Sequence, residues 1–555
     1  MKLYISKTLG INSFDGFHLL QDHLGTSYNN PWDDFGFIVT FNLYFVINGE
    51  KQKVDSLKLL IDGVQNTANY LFENGIVVSD KIYEITDTLT ELDAVSLGEK
   101  SSYYKKINFV LGEDKKSIDG LLSLLGDASY FISNEEIYSK YDGYGSTIMR
   151  NGETAKSLIK KGYHLSLGTY AKATTFTLPL DQPSDTIESI EFKFDISKEI
   201  AKTNINLLIG ENGTGKSHIL RKISEVITGV AKNSQSWPFF HKVVVAAYSP
   251  FENFYTRGQI LDVLDQNHEK KSSKKEKKRR DIQINKYSYI GFKDDNNNFN
   301  LNWPKAFSVK SMAEIIQYDE QENWWTEETR LKTLKDTLKL SMDFDSIAVK
   351  LKSNDDFFKF EDDSYLKFAD NKHDIDETQG LFFLKNDEPI KLSSGQEIFS
   401  YMIPSLVAEI EEESLLIIDE PELYLHPTLE IGLIDMLKKL LKETNSSAII
   451  ATHSALLARE VARDGTVILR KQNGFTIADS PTIQTYGESL EVIIGEAFDD
   501  YSTVKPFQRE LDKAISKTDA STEEIISEYS SCIGDEALTY LSASTIDEKI
   551  DFEER

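Results

Sequence analysis

The sequence predicts an α/β fold built around a phosphate-binding loop, and three observations carry that expectation. The apolar run 205–209 reads as a buried strand and breaks into Gly210-Glu211-Asn212-Gly213-Thr214-Gly215-Lys216-Ser217, which fits G-x-x-x-x-G-K-[ST] at every fixed position. A helical pattern follows directly, with His218 near its start. Ile219, Leu220, Ile223, Val226 and Ile227 share one face, and Gly229 is placed to stop it. Two later apolar runs, 415–418 and 447–452, end in side chains able to do chemistry: Asp419-Glu420 and His453.

Each residue type in the loop has a physical reason. Glycines let backbone N–H groups close around phosphate oxygens, and the N-terminus of the following helix adds partial positive charge. Residues 210–218 are therefore the candidate nucleotide-binding set. Lys216 is placed to reach the β- and γ-phosphates of ATP and Ser217 to hold Mg²⁺. Asp419, at the end of a buried strand, is a second candidate ligand for Mg²⁺. Glu420 is the candidate base for the attacking water, because a carboxylate beside a low-dielectric strand end can have a raised pKa. His453 is a candidate contact to the γ-phosphate and that water.

Composition narrows the classes. The chain has 555 residues, enough for two to four domains, and a formal net charge of −28. Such an acidic chain is no general nucleic-acid binder, so any such contact needs a local basic patch. One is present at 269–280, rich in lysine and arginine and free of apolar residues, within a changed stretch at about 259–281. It reads as a mobile insertion or a nucleic-acid contact. Cys532 is the only cysteine, which excludes an internal disulfide and a cysteine-based metal site. The first residues lack a signal-like apolar stretch, and no run approaches the ~18 apolar residues of a membrane span. The expectation is a cytoplasmic protein.

In chain order, residues 1–185 read as a β-rich lobe. Residues 35–47 are aromatic and β-branched, Asn48-Gly49 signals a hairpin, and 56–62 reads as the returning strand. Val64 to Phe72 reads as a short helix, and 107–111 and 163–167 as ambiguous strand-like pieces. Asp181-Gln182-Pro183-Ser184-Asp185 is a turn-rich boundary. Residues 186–495 form the expected head, with strands at 187–196, 241–250 and 287–292 and a helical lobe at about 305–412. Residues 496–555 form an acidic helical end. There Ile525, Ile526, Tyr529, Ile533, Leu538 and Leu541 make a stripe that serves either as core or as a docking surface.

The downstream motifs fall in a fixed order: Leu392-Ser393-Ser394-Gly395-Gln396 before a helix, Asp419-Glu420-Pro421-Glu422 after a strand, Leu425-His426-Pro427 opening a helix, and His453. This set resembles the ABC-type ATPase head of the SMC and recombination-repair branch over roughly residues 190–480. The resemblance implies a P-loop head with a mixed sheet, MgATP as ligand, and two heads that sandwich two nucleotides. Ser393, Gly395 and Gln396 then act on the nucleotide of the opposite copy. The chain departs from the pattern twice. Ser394 replaces a glycine of the signature, and residues 248–253 offer no glutamine where the family places one, leaving Ser249 or Asn253 as stand-ins.

Trp32-Asp33-Asp34-Phe35-Gly36, a compact head and an acidic helical end also resemble the Septu antiphage ATPase subunits (PtuA), including retron-associated versions. That resemblance implies a homodimer or higher oligomer, a separate HNH nuclease subunit, and in retrons a reverse transcriptase with its msDNA. OLD-type ATPase-nucleases are a poorer match, because no Glu followed by Asp-x-Asp follows the head. An SMC-like repair ATPase acting directly on DNA, a transporter subunit and an ATP-holding scaffold with little turnover are the remaining classes.

Overall fold

The computed structural model describes residues 1–543 apart from 27–28, 171–174, 232, 234–236, 239, 267–285, 295–296, 323–327, 354–355, 362–364, 498–503 and 517–521. The basic stretch 269–280 lies outside the described residues. Two compact units are present, Met1–Gly487 and Glu488–Arg555.

The first lobe carries a seven-stranded sheet: β1 (Leu3–Ser6), β2 (Gly16–Gln21), β3 (Thr40–Ile47), β4 (Glu50–Ile61), β5 (Ile76–Ser79), β6 (Ile82–Glu84) and β7 (Ala94–Gly98), in the order β5-β6-β1-β2-β3-β4-β7. β3 and β4 pair antiparallel about Asn48 and Gly49, whose φ of 52° and 80° are the left-handed pair that a tight hairpin turn requires. The short helix expected at 64–72 runs Thr67–Asn74, capped by the Asn66 side chain accepting from Asn69 N.

Two strand-like pieces are corrected. Residues 107–111 largely belong to the helix Ser101–Val110, and 163–167 to the helix Glu153–Ser166. Tyr103, Tyr104 and Ile107 are buried at helical spacing while Phe109 is exposed, and Leu158, Ile159 and Leu165 repeat the pattern. These helices share one apolar core with the sheet, running in sequence from Leu3 to Leu165. The lobe is thus a sheet with helices packed on it.

The turn 181–185 joins β8 (Thr175–Leu180) to β9 (Ile190–Asp195), which pair with each other, so it lies inside a hairpin. Leu178, Leu180, Phe192 and Phe194 pack in the core of the head. The head is organised on a second seven-stranded sheet: β10 (Ile205–Gly210), β11 (Lys242–Ala247), β12 (Lys286–Gly291), β17 (Ser414–Asp419), β18 (Ser447–Thr452), β19 (Thr466–Gln472) and β20 (Phe475–Asp479). Its order is β12-β11-β17-β18-β10-β19-β20, parallel throughout except for the last pair. Burial on both faces explains the near-continuous apolar runs. A lobe inserted between β12 and β17 holds the helices Trp303–Glu322, Arg330–Lys339 and Ser394–Glu409. It also holds a four-stranded sheet of β13 (Ser346–Lys350), β14 (Phe357–Lys359), β15 (Phe382–Lys385) and β16 (Glu388–Pro389). The region expected to be helical therefore mixes helix and strand.

The first lobe docks on the head through the loop between the Ser394–Glu409 helix and β17, where Lys105 pairs with Glu412 and buried Lys161 with buried Glu413. In the second unit Ile525 and Leu541 are buried and Tyr529 is exposed, so the expected stripe is core at two of its positions and open at one. No helix among the described residues is long and apolar enough to cross a membrane.

Candidate functional site

Register brings the chemistry to one sheet edge. Ala247 pairs with Asp419, Asp419 with Ala451, and Ile209 with Thr452, so β10, β11, β17 and β18 end nearly level. Ligands of parallel α/β sheets bind outside this carboxyl edge. β18, which delivers His453, lies between the strand of the phosphate loop and the strand of Asp419.

The loop closes as its sequence requires. Gly215 is the N-cap of the helix Lys216–Ile227 with φ 98°, a left-handed conformation that favours glycine, and a Cβ there would push on the tip of Ile187, 2.9 Å away. Thr214 Oγ1 donates to Glu211 O at 2.8 Å and Thr476 Oγ1 donates to Thr214 O at 3.1 Å, pinning the loop on β20. His218 turns away from the loop, its Nε2 standing 3.3 Å from Pro183 O.

Lys216 is buried at the centre. Its Nζ donates to Gly210 O at 3.0 Å, stands 2.5 Å from His453 Nε2 and lies 3.7 Å from Glu420 Oε1. Burial lowers its pKa, against the pull of Glu420, Asp419 and Glu422. Ser217 Oγ donates to Asp419 Oδ1 at 3.1 Å. These two oxygens, side by side beneath the loop, are the hard-donor pair that Mg²⁺ prefers, and with Lys216 they fit a magnesium nucleotide.

The two carboxylates differ, and not in the expected sense. Asp419 is the raised one, pushed up to about 6 by burial and by the Glu420 charge despite the Ser217 hydroxyl. Glu420 is lowered, because its contact to His453 at 3.4 Å and the Lys216 charge outweigh its burial. Its backbone is left-handed, φ 48°, with its N–H fixed on Ala451 O at 2.9 Å, which turns the chain sharply out of β17. Glu420 is thus a fixed, ionised acceptor, a weaker base than a carboxylate with raised pKa but one already deprotonated at neutral pH.

The signature residues sit at a helix start. Ser393 caps the Ser394–Glu409 helix in a capping box with Gln396. The Gln396 amide is used at both ends, accepting from Ser393 N at 2.9 Å and donating to Ser341 O at 2.6 Å. Its role here is to hold the signature in place. A Cβ on Gly395 would fall 2.5 Å from Tyr424 O, so this helix packs directly on the segment after Glu420. Ser393 and Ser394 are exposed.

Sequence reasoning missed three carboxylates. In the segment 248–253 Glu252 is buried, while Asn253 is exposed. Glu252 accepts from Phe254 N at 2.7 Å and Tyr289 OH at 2.8 Å and pairs with Lys293 at 2.9 Å. Glu422 accepts from His453 N, and Glu430 accepts from Ser454 Oγ. The only sequence signal was the acidic residue after Pro421.

Fold and site together make an α/β head with a phosphate-loop arrangement at the carboxyl edge of a mostly parallel sheet. Residues 205–459 match the family described as "AAA domain, putative AbiEii toxin, Type IV TA system". Among individual proteins, the chain is similar to Protein ea59 of Escherichia phage lambda, 25% identical over 542 residues that cover 92% of this chain and 93% of that protein. Among solved structures, an RNase-L inhibitor aligns at 11% identity and TM-score 0.25 over 55% of this chain, which spans 39% of the inhibitor. An ATP-binding cassette of an ABC transporter in its ADP conformation aligns at 14% and 0.24, over 56% of this chain and 87% of the cassette.

Proposed function

We propose that the chain binds and hydrolyses MgATP as one half of a head-to-head pair. The observation that carries the proposal is the convergence of Lys216, Ser217, Asp419, Glu420 and His453 at one edge of the sheet. Bound MgATP supplies the phosphoanhydride that is cleaved. Loop N–H groups and Lys216 hold phosphate oxygens, Ser217 and Asp419 offer oxygen ligands to the cation, and Glu420 takes a proton from the attacking water. His453, held between Lys216 and Glu420, orients that water. Ser393 and Gly395, exposed or lying next to the exposed Ser394 at a helix N-terminus, complete the site of a second copy.

The cellular role we infer is a sensor and scaffold in conflict between phage and bacterium. The ATP-joined pair controls a separately encoded HNH nuclease, with a retron reverse transcriptase and its msDNA as further partners. The likeness to antiphage ATPases, the toxin wording of the matched family and a phage relative matched along nearly its whole length support this setting. The locked Glu252 favours a second reading, an ATP-holding scaffold with little turnover.

Phosphate release decides between the two. Glu420→Gln is expected to slow release about 100-fold or more while retaining ATP, and Lys216→Ala to weaken nucleotide binding about 100-fold. Parental turnover in Glu420→Gln overturns the role given to Glu420. Absence of turnover in the parent, with tight ATP binding, favours the scaffold. Co-expression with the neighbouring reading frames tests the partners, and failure of an HNH nuclease to co-purify removes that arm.

A further inference from the structure

The turn that carries His453 is fastened from one direction. Its backbone N–H donates to Glu422, and the next side chain, Ser454, donates to Glu430. Both carboxylates come from the segment that leaves β17: Glu422 from the single turn Pro421–Tyr424, and Glu430 from the start of the helix Pro427–Glu443. Between them lies Tyr424, whose carbonyl closes on Gly395 of the signature helix. One short stretch of chain thus holds Glu420 at its start, touches the signature in its middle and grips the histidine turn.

We propose that Glu422 is a positioning residue that holds the backbone of His453, so that the imidazole faces Lys216 and Glu420, and links that placement to the segment on which the signature packs. The proposal rests on the ATPase reading above and extends it. The strand ladder ends at Thr452. Without Glu422 the His453 N–H loses its acceptor, and the turn loses the bond that fixes the ring. A shift of the signature helix moves Tyr424, and through Glu422 it moves His453. Engagement of a second copy by the signature is thereby felt in the site of the same chain.

The test separates an acceptor from a filler. Glu422→Gln keeps an acceptor for the His453 N–H, and Glu422→Leu keeps only bulk. Glu422→Leu is expected to lower kcat about 10- to 100-fold with KM for ATP nearly unchanged, as for a reacting group misplaced by a fraction of an ångström, and Glu422→Gln to restore most of the rate. Combined with His453→Ala, Glu422→Leu is expected to cost nothing further, since the two act as one unit.

A second readout needs no turnover. In the nucleotide-free chain the ring ¹⁵N signals of His453, assigned by their loss in His453→Ala, are expected to move in Glu422→Leu and to stay in Glu422→Gln. Parental kcat in Glu422→Leu, losses that multiply with His453→Ala, or an unmoved ring signal overturns the proposal. So does a Glu422→Gln variant as slow as Glu422→Leu. A parent that binds no MgATP overturns the ATPase reading instead, which the ring signals distinguish.

Discussion

Asp419 carries the sharpest prediction because its burden is visible without ligand. A buried carboxyl raised from 3.8 to about 6 binds its proton more tightly in the folded chain than in the unfolded one. Its contribution to stability is complete below about pH 4 and is lost as pH rises through about 6. The shift of roughly 2 units corresponds to about 3 kcal/mol of strain at neutral pH. Asp419→Asn removes the charge, and its amide oxygen still accepts from Ser217 Oγ. With unfolding entropy near 2 cal/mol/K per residue, 3 kcal/mol spread over the unit Met1–Gly487 amounts to about 3 °C.

In magnesium- and nucleotide-free buffer, Asp419→Asn is therefore expected to melt a few degrees above the parent at pH 8, the gap closing as pH falls toward about 4. Added MgATP should reverse the order at pH 8, because the parent gains a ligand and the variant has lost a cation oxygen. A variant no more stable than the parent at pH 8 without ligand refutes the argument.

Two other outcomes follow from the same structure, and a third from the sequence alone. Gly215→Ala forces a side chain into a left-handed residue against Ile187, so thermal melting should show a loss of about 1–2 kcal/mol and titration a weaker nucleotide. Lys161→Met removes the ammonium partner of buried Glu413 and should cost about 3 kcal/mol, part of it recovered in Lys161→Met with Glu413→Leu; an additive double variant contradicts the pairing. Serine in place of the lysines and arginines of 270–280 should reduce nucleic-acid retention and flatten its salt dependence, and unchanged retention leaves that stretch a linker.

The parts of the site legible in the sequence are those written in contiguous residues. Residues 205–217 spell strand, loop and helix in one pass, and the runs ending at Asp419 and His453 are apolar enough to be recognised as buried strands. The helices Ser101–Val110 and Glu153–Ser166 were missed in part because tyrosine, phenylalanine and isoleucine look strand-like until burial shows which face they share. Glu252, Glu422 and Glu430 act through partners supplied by other strands and turns, and the Lys161–Glu413 contact joins residues 252 positions apart. Such pairings are fixed by the sheet order, which no local pattern encodes. The raised Asp419 and lowered Glu420 likewise depend on where Lys216 and His453 arrive in space.

The central claim is that two copies complete each other's nucleotide site, and mixing two dead variants tests it most directly. Lys216→Ala lacks its own phosphate grip, and Ser393→Arg lacks a usable signature. Each alone should be inactive. Mixed in equal amounts, half of the pairs are mixed and each holds one intact site, so about a quarter of parental phosphate release should return. A mixture as inactive as its components, or a Ser393→Arg variant that hydrolyses ATP at the parental rate alone, contradicts the account.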